Sequence, residues 1–129
     1  MNYFDHEKLN VYQTSMDFAL LTEELIVGFY KGRSHLADQL HRASTSVLFN
    51  VAEGAGEYAE NEKIRFYRMA RRSATESSAI LELSLRLQII DNSNYLKCRE
   101  LLMRIIAMLT KMTKHAVLGK GTSTVKVTI

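Results

Sequence analysis

Apolar residues recur every three or four positions along most of the chain, and the recurrence is interrupted three times. That spacing puts them on one face of an α-helix and predicts four helical segments. The first covers residues 9–30. Val11, Phe18, Ala19, Leu25, Ile26 and Phe29 share its face with Ser15 and Thr22, and Tyr12, Met16 and Leu20 widen it. Gly32 is the expected stop, because glycine accepts the left-handed conformation that ends helices. The second covers 35–57, with Ser34 as the expected N-cap and a stripe of Leu36, Leu40, Ala43, Val47, Val51 and Gly54. Gly54 and Gly56 weaken that helix and predict its end near 56–58. The third covers 61–88, with Phe66, Met69, Ala70, Ser73, Ser77, Ile80, Ser84 and Leu87 on one face. Three serines in that stripe predict a close backbone approach to another helix. The fourth follows the cap-rich turn Asp91-Asn92-Ser93-Asn94 and runs to about residue 115. Its stripe is Cys98, Leu101, Leu102, Ile105, Ile106, Leu109, Met112 and Ala116. Short connections force successive helices to lie antiparallel, so the expected architecture is an all-α, up-down-up-down four-helix bundle.

Composition narrows the class further. The 129 residues include no proline and only six glycines, which suits a few long helices and not the many turns of an all-β domain. One domain is expected over 1–118, with a flexible Gly/Thr/Ser tail over 119–129. In that tail Val125, Val127 and Ile129 alternate, which leaves open a short strand added to a partner. The single cysteine, Cys98, excludes an intramolecular disulfide and a cysteine zinc site, and points to a reducing, cytoplasmic compartment. No signal peptide or membrane span is expected, since the N-terminus lacks a basic start and no long apolar run follows.

Charge is unevenly placed. Residues 1–58 hold 4 Lys/Arg against 8 Asp/Glu, while residues 59–129 hold 13 against 6. A basic half suits either an acidic partner or the acidic half of a neighbouring chain. Much of it lies on the third helix, where Arg65, Arg68, Arg71, Arg72 and Arg86 project within an arc of roughly 120° opposite the apolar stripe. Arginine's planar fork fits phosphate in a bidentate way, so phosphate or RNA contact is one reading. The other is a solvated face partly neutralised by Glu76 and Glu82. Lys97, Arg104, Lys111 and Lys114 on the fourth helix would extend the patch.

On the second helix Arg42, Ser46 and Glu53 project within roughly 40° of one another, with Gln39 and Asn50 beside them. This stripe reads either as a hydrogen-bonded seam that sets helix register or as a ligand or subunit-contact site. Leu83, Leu85, Phe49 and Leu48 project away from their core stripes and predict a homo-oligomer interface. Nothing points to an enzyme. His6, His35, His41 and His115 lack a second ligand at helical spacing, no nucleotide-binding loop occurs, and Cys98 lies in an apolar stripe. No catalytic residue, metal or cofactor is expected.

The run Gln39-Leu40-His41-Arg42-Ala43-Ser44-Thr45-Ser46-Val47-Leu48-Phe49-Asn50-Val51-Ala52-Glu53-Gly54 resembles the signature of the bacterial four helix bundle proteins. These are also called the intervening-sequence proteins of large-subunit ribosomal RNA. Glu62, Arg65, Phe66, Ala70, Ser73 and Glu76 continue the likeness, and Val11-Tyr12 resembles the family's Val-Trp. His41, Leu48, Phe49 and Glu57 depart from the pattern and lower the positive charge of the second helix. The resemblance implies a protomer that closes into a ring, typically a pentamer. More distantly, the chain resembles the accessory proteins of diversity-generating retroelements, rings that bind RNA and a reverse transcriptase.

Together these readings predict a non-enzymatic oligomer. Arg65, Arg68, Arg71 and Arg72 would contact RNA, and Arg42, Ser46, Asn50 and Glu53 would form a structural or inter-subunit seam. The rival reading is a protein scaffold whose arginines meet acids such as Glu23 and Glu24 of another chain.

Overall fold

A computed structural model describes residues 3–119, with side chains as far as Lys114. Four helices dominate: α1 (Asn10–Val27), α2 (Ser34–Ala55), α3 (Glu60–Arg86) and α4 (Asn92–Gly119). Short 3-10 turns at Asp5–Lys8 and Lys31–Arg33 precede α1 and α2. Each helix packs on the next and α4 closes on α1, an antiparallel bundle with one core. Phe18, Leu40, Val47, Val51, Leu81, Cys98, Ile105 and Leu109 are fully buried along its axis. Burial of a large apolar side chain contributes about 1.5–3 kcal/mol, so this row carries the fold.

The helix ends show where local chemistry differs from expectation. α1 stops at Val27 and not near Gly32. Gly28 follows it at φ −85°, an ordinary right-handed conformation, and donates its N–H to Leu25 O at 3.0 Å. Ser34 is no cap. It is the first helical residue of α2 at φ −61°, ψ −31°, because the 3-10 turn before it runs straight into the helix. A side-chain cap needs the extended backbone that Ser34 lacks. At the other end of α2, Lys63 Nζ reaches back from α3 to donate to Gly54 O at 2.9 Å and Ala55 O at 3.3 Å. An ammonium there satisfies orphan carbonyls and complements the negative end of the helix dipole.

α3 ends in a left-handed turn at Gln88, φ 62°. Gln88 N–H bonds to Leu85 O at 2.9 Å and Ile89 N–H to Ser84 O at 2.8 Å, the paired bonds of a Schellman ending. Glycine is the usual residue at that position. Asp91 then caps α4, its Oδ1 accepting from the Asn94 N–H at 2.8 Å, as the composition of that turn predicts.

The buried face of α3 is rotated from the expected stripe. Ile64, Tyr67, Ala70, Ala74, Ser77, Ile80, Leu81 and Ser84 are buried, whereas Phe66 and Ser73 are half-buried and Met69 is exposed. Bulky Phe66 and Met69 bias a periodicity reading, while the packing turns small Ala70 and Ala74 inward. The close approach expected from serines is centred on Gly54. A Cβ there would lie 2.7 Å from Tyr67 Cε1 and 3.2 Å from Phe66 Cβ. Ser77 and Ser84 return their hydroxyls to the carbonyls of Ser73 and Ile80 in their own helix.

Leu48, expected to project outward, is buried at 7% exposure, while Phe49 and Leu83 stay outside at 60% and 46%. Leu85 packs half-buried against the core. Ser15 Oγ is fully buried without a hydrogen-bond partner among the described residues. The side chains of His115 and Ala116, and the expected tail beyond Gly119, lie outside the described residues.

Candidate nucleic-acid interface

The arginines of α3 fall into two groups. Arg65 Nη2 donates to Glu62 Oε1 at 2.8 Å, and its guanidinium lies 4.6 Å from the Phe66 ring centroid. This contact holds the Glu62 carboxyl below, and the Arg65 guanidinium above, their ordinary pKa values. Arg86 pairs with Glu82 at 3.1 Å. Arg71 is half-buried and donates to Thr110 Oγ1 of α4 at 3.3 Å. Arg68 and Arg72 are different. They lie one turn apart on the exposed face of α3, and neither has an ion pair or a hydrogen-bond partner among the described side chains. Of the acids expected to neutralise this face, Glu82 does so and Glu76 pairs with none; Glu62, not foreseen, takes Arg65.

The basic residues of α4 do not all extend this surface. Arg104 lines a groove with Asn10, Gln13 and Asp17 on the α1 flank of α4, whereas Thr110, the partner of Arg71, marks the α3 flank.

The polar stripe of α2 divides as well. Ser46 Oγ and Ser73 Oγ lie 2.8 Å apart and bridge α2 to α3. Asn50 Nδ2 donates to Ser46 O at 2.9 Å and Ser46 Oγ at 3.0 Å. Above these groups opens a groove of about 620 Å³, walled by Gln39 and Arg42 on α2 and by Glu76 on α3, with Phe49 beside it. Glu53 is exposed and does not line it. The partner residue Ser73 is 27 positions from Ser46, so no spacing rule could have linked them.

Other candidate chemistry is quiet. His41 Nδ1 lies 2.6 Å from Glu23 Oε2, and His6 packs between Phe4 and Tyr12. Burial pushes the Cys98 thiol up to about 11, so it is a poor nucleophile near neutral pH. Among the described residues no cluster of three or more His, Cys, Asp or Glu could hold a metal ion, and no helix is long and apolar enough to cross a membrane.

A protein of unknown function from the S23 ribosomal protein family of Bacteroides thetaiotaomicron has a similar crystal structure. The match has a TM-score of 0.76 at 23% identity, covering 81% of this chain and 98% of that one. At that identity the likeness shows the shared fold. No curated protein matches the chain. The model of the 23S rRNA-intervening sequence protein family matches residues 7–111, nearly the whole bundle and both helices that line the groove. The chain belongs to the 23S rRNA-intervening sequence protein family.

Proposed function

We propose that this chain is a non-enzymatic, cytoplasmic, oligomeric bundle that contacts RNA through the arginine face of α3. The carrying observation is the pair Arg68 and Arg72: two guanidinium groups one turn apart, exposed and without an acidic partner among the described residues. Their ten N–H donors, five on each guanidinium, face solvent ready for phosphate oxygens. Arg65 and Arg71 flank them in a secondary role, since Glu62 and Thr110 already engage them. The family's name, which ties it to the intervening sequence of 23S rRNA, supports an RNA partner over a generic polyanion.

Phosphate contacts position a protein without reading sequence, so the binding is salt-dependent and broadly tolerant of sequence. Replacing Arg65, Arg68 and Arg72 with Gln should weaken binding to a structured RNA fragment at least tenfold. The melting temperature should barely change, because surface substitutions of this kind stay within about 0.5 kcal/mol. Equal affinity in the triple variant would sink the assignment.

A second reading, a protein scaffold without nucleic acid, draws on the exposed Phe49, Met69 and Leu83 of α2 and α3. Met69 and Leu83, which lie outside the groove, also suit self-association, in the ring that the family resemblance implies. Arginine-to-Glu23 pairing between chains is weakened as a basis for the scaffold, because Glu23 is already held by His41. Light scattering separates the two: loss of oligomer in the triple variant favours the scaffold, and loss of RNA with the oligomer intact favours RNA contact.

A further inference from the structure

We propose that the groove between α2 and α3 takes an unpaired guanine base, which makes it the base-reading part of an RNA surface whose phosphate-contacting part is Arg68 and Arg72. The inference rests on the RNA reading above and adds a ligand to it.

The argument starts from what the groove leaves unused. Arg42 and Glu76 stand on opposite walls, both exposed, and do not pair across it. Neither has another ion-pair partner among the described residues. A cation and an anion that face one space without touching suit a ligand presenting acceptors to one and donors to the other. The floor is fixed. Ser46 and Ser73 hydroxyls hold each other at 2.8 Å, and both Asn50 amide bonds run to Ser46, so its Oδ1 is left as an acceptor. Phe49 beside the groove is 60% exposed, an aromatic face with no ring partner among the described residues. The volume of about 620 Å³ is in the range of small-ligand sites.

Guanine meets these demands together. Its O6 and N7 accept a bidentate arginine, the commonest specific contact to a base. Its N1–H and N2–H donate from the neighbouring edge, which suits the Glu76 carboxylate and the Asn50 carbonyl. Its ring stacks on an aromatic side chain, the usual way proteins hold splayed-out bases of single-stranded RNA. Adenine offers an acceptor at N1 where guanine offers a donor, so a carboxylate there rejects it. Uracil and cytosine lack the second edge that Arg42 would read.

Fluorescence anisotropy with labelled heptaribonucleotides tests this directly. UUUGUUU should bind about tenfold more tightly than UUUAUUU or UUUUUUU, in keeping with one bidentate base contact. Glu76→Gln and Arg42→Gln should each erase most of that ratio, while Phe49→Ala should weaken both purine heptamers together, because stacking does not read the base edge. All three positions are exposed, so the variants fold. The Arg68→Gln/Arg72→Gln variant should weaken all three heptamers and preserve the ratio. Equal affinity for the heptamers, or a ratio unmoved by Arg42→Gln and Glu76→Gln, overturns the inference and leaves the RNA reading standing. A change in oligomer mass on Arg42→Gln or Glu76→Gln assigns the groove to a second copy and overturns it too. Calorimetry with GMP and AMP separates the remaining cases. GMP bound in preference to AMP while no heptamer binds keeps the guanine site and removes the RNA surface; neither nucleotide and no heptamer bound removes both.

Discussion

The two seams that flank α2 are each bridged by a buried or half-buried hydroxyl pair, yet they meet solvent differently. Towards α1, Thr22 Oγ1 donates to Ser44 Oγ at 3.0 Å, with Ala19 O and His41 O as further acceptors. Thr22 and Ser44 are wholly buried, and at the rim His41 and Glu23 close on each other at 2.6 Å. Every polar group named there has an internal partner. Towards α3, the Ser46–Ser73 pair is only half-buried, and the charges above it, Arg42 and Glu76, stay apart. Polar residues line both seams. What marks the second as a candidate site is that its outermost groups are left unpaired. A closed seam holds register, whereas an open one also offers donors and acceptors to something else.

That contrast can be broken at its strongest point first. Gly54→Ala places a methyl against Tyr67 and Phe66 of α3. Tyr67 is 5% exposed and cannot swing away freely. The expected destabilisation is about 1–3 kcal/mol, the usual cost of overpacking, reduced by the better helix propensity of alanine. Thermal or urea unfolding checks it, and a neutral result would mean that the α2–α3 approach is looser than described.

A smaller effect is expected in the closed seam. Ser44→Ala removes the inter-helix bond but leaves Thr22 bonded to Ala19 O, so the loss should be about 1 kcal/mol by urea titration. The smallest stability effect belongs to the open groove. Arg42→Gln and Glu76→Gln should each leave unfolding within about 0.5 kcal/mol of the parent. If either costs as much as Ser44→Ala, the groove is structural and the contrast fails. Separately, Cys98 should stay unreactive towards a thiol reagent at pH 8 in the native protein and react fully in denaturant. Its thiol is buried, with its pKa pushed up to about 11, which keeps it protonated at that pH.

The bundle was legible in the sequence because helix identity depends on a pattern that repeats over many turns. Val11, Phe18 and Thr22 on α1, and Leu40, Val47 and Val51 on α2, are buried as the spacing predicts. Boundaries were less legible, because they depend on single residues in local competition. The stop expected at Gly32 lies four residues beyond the real one, where Gly28 follows Val27. Gln88 in a left-handed turn has no composition signal at all. The buried face of α3 differs from its apolar stripe because packing sets its angle: Gly54 of α2 lets the Tyr67 ring in, and Ala74 is buried with no bulk to signal it.

The candidate site follows the same division. Partners one turn away, such as Glu82 for Arg86, can be read from spacing. Partners across the bundle cannot, and Thr110 for Arg71 and Ser73 for Ser46 appear only once the helices are packed. Two local partners, Glu62 and Glu82, and one tertiary partner, Thr110, reduce an apparent cluster of five arginines to the pair Arg68 and Arg72, which has no partner among the described side chains.

The most direct test of RNA contact is the affinity of the purified protein for a structured RNA fragment across a salt series. Micromolar or tighter binding is expected at low salt, falling steeply as salt rises, with the log–log slope reduced by about 1.5–2 in the Arg68→Gln/Arg72→Gln variant. Absence of binding at low salt would contradict the account and give the arginine face to a protein partner.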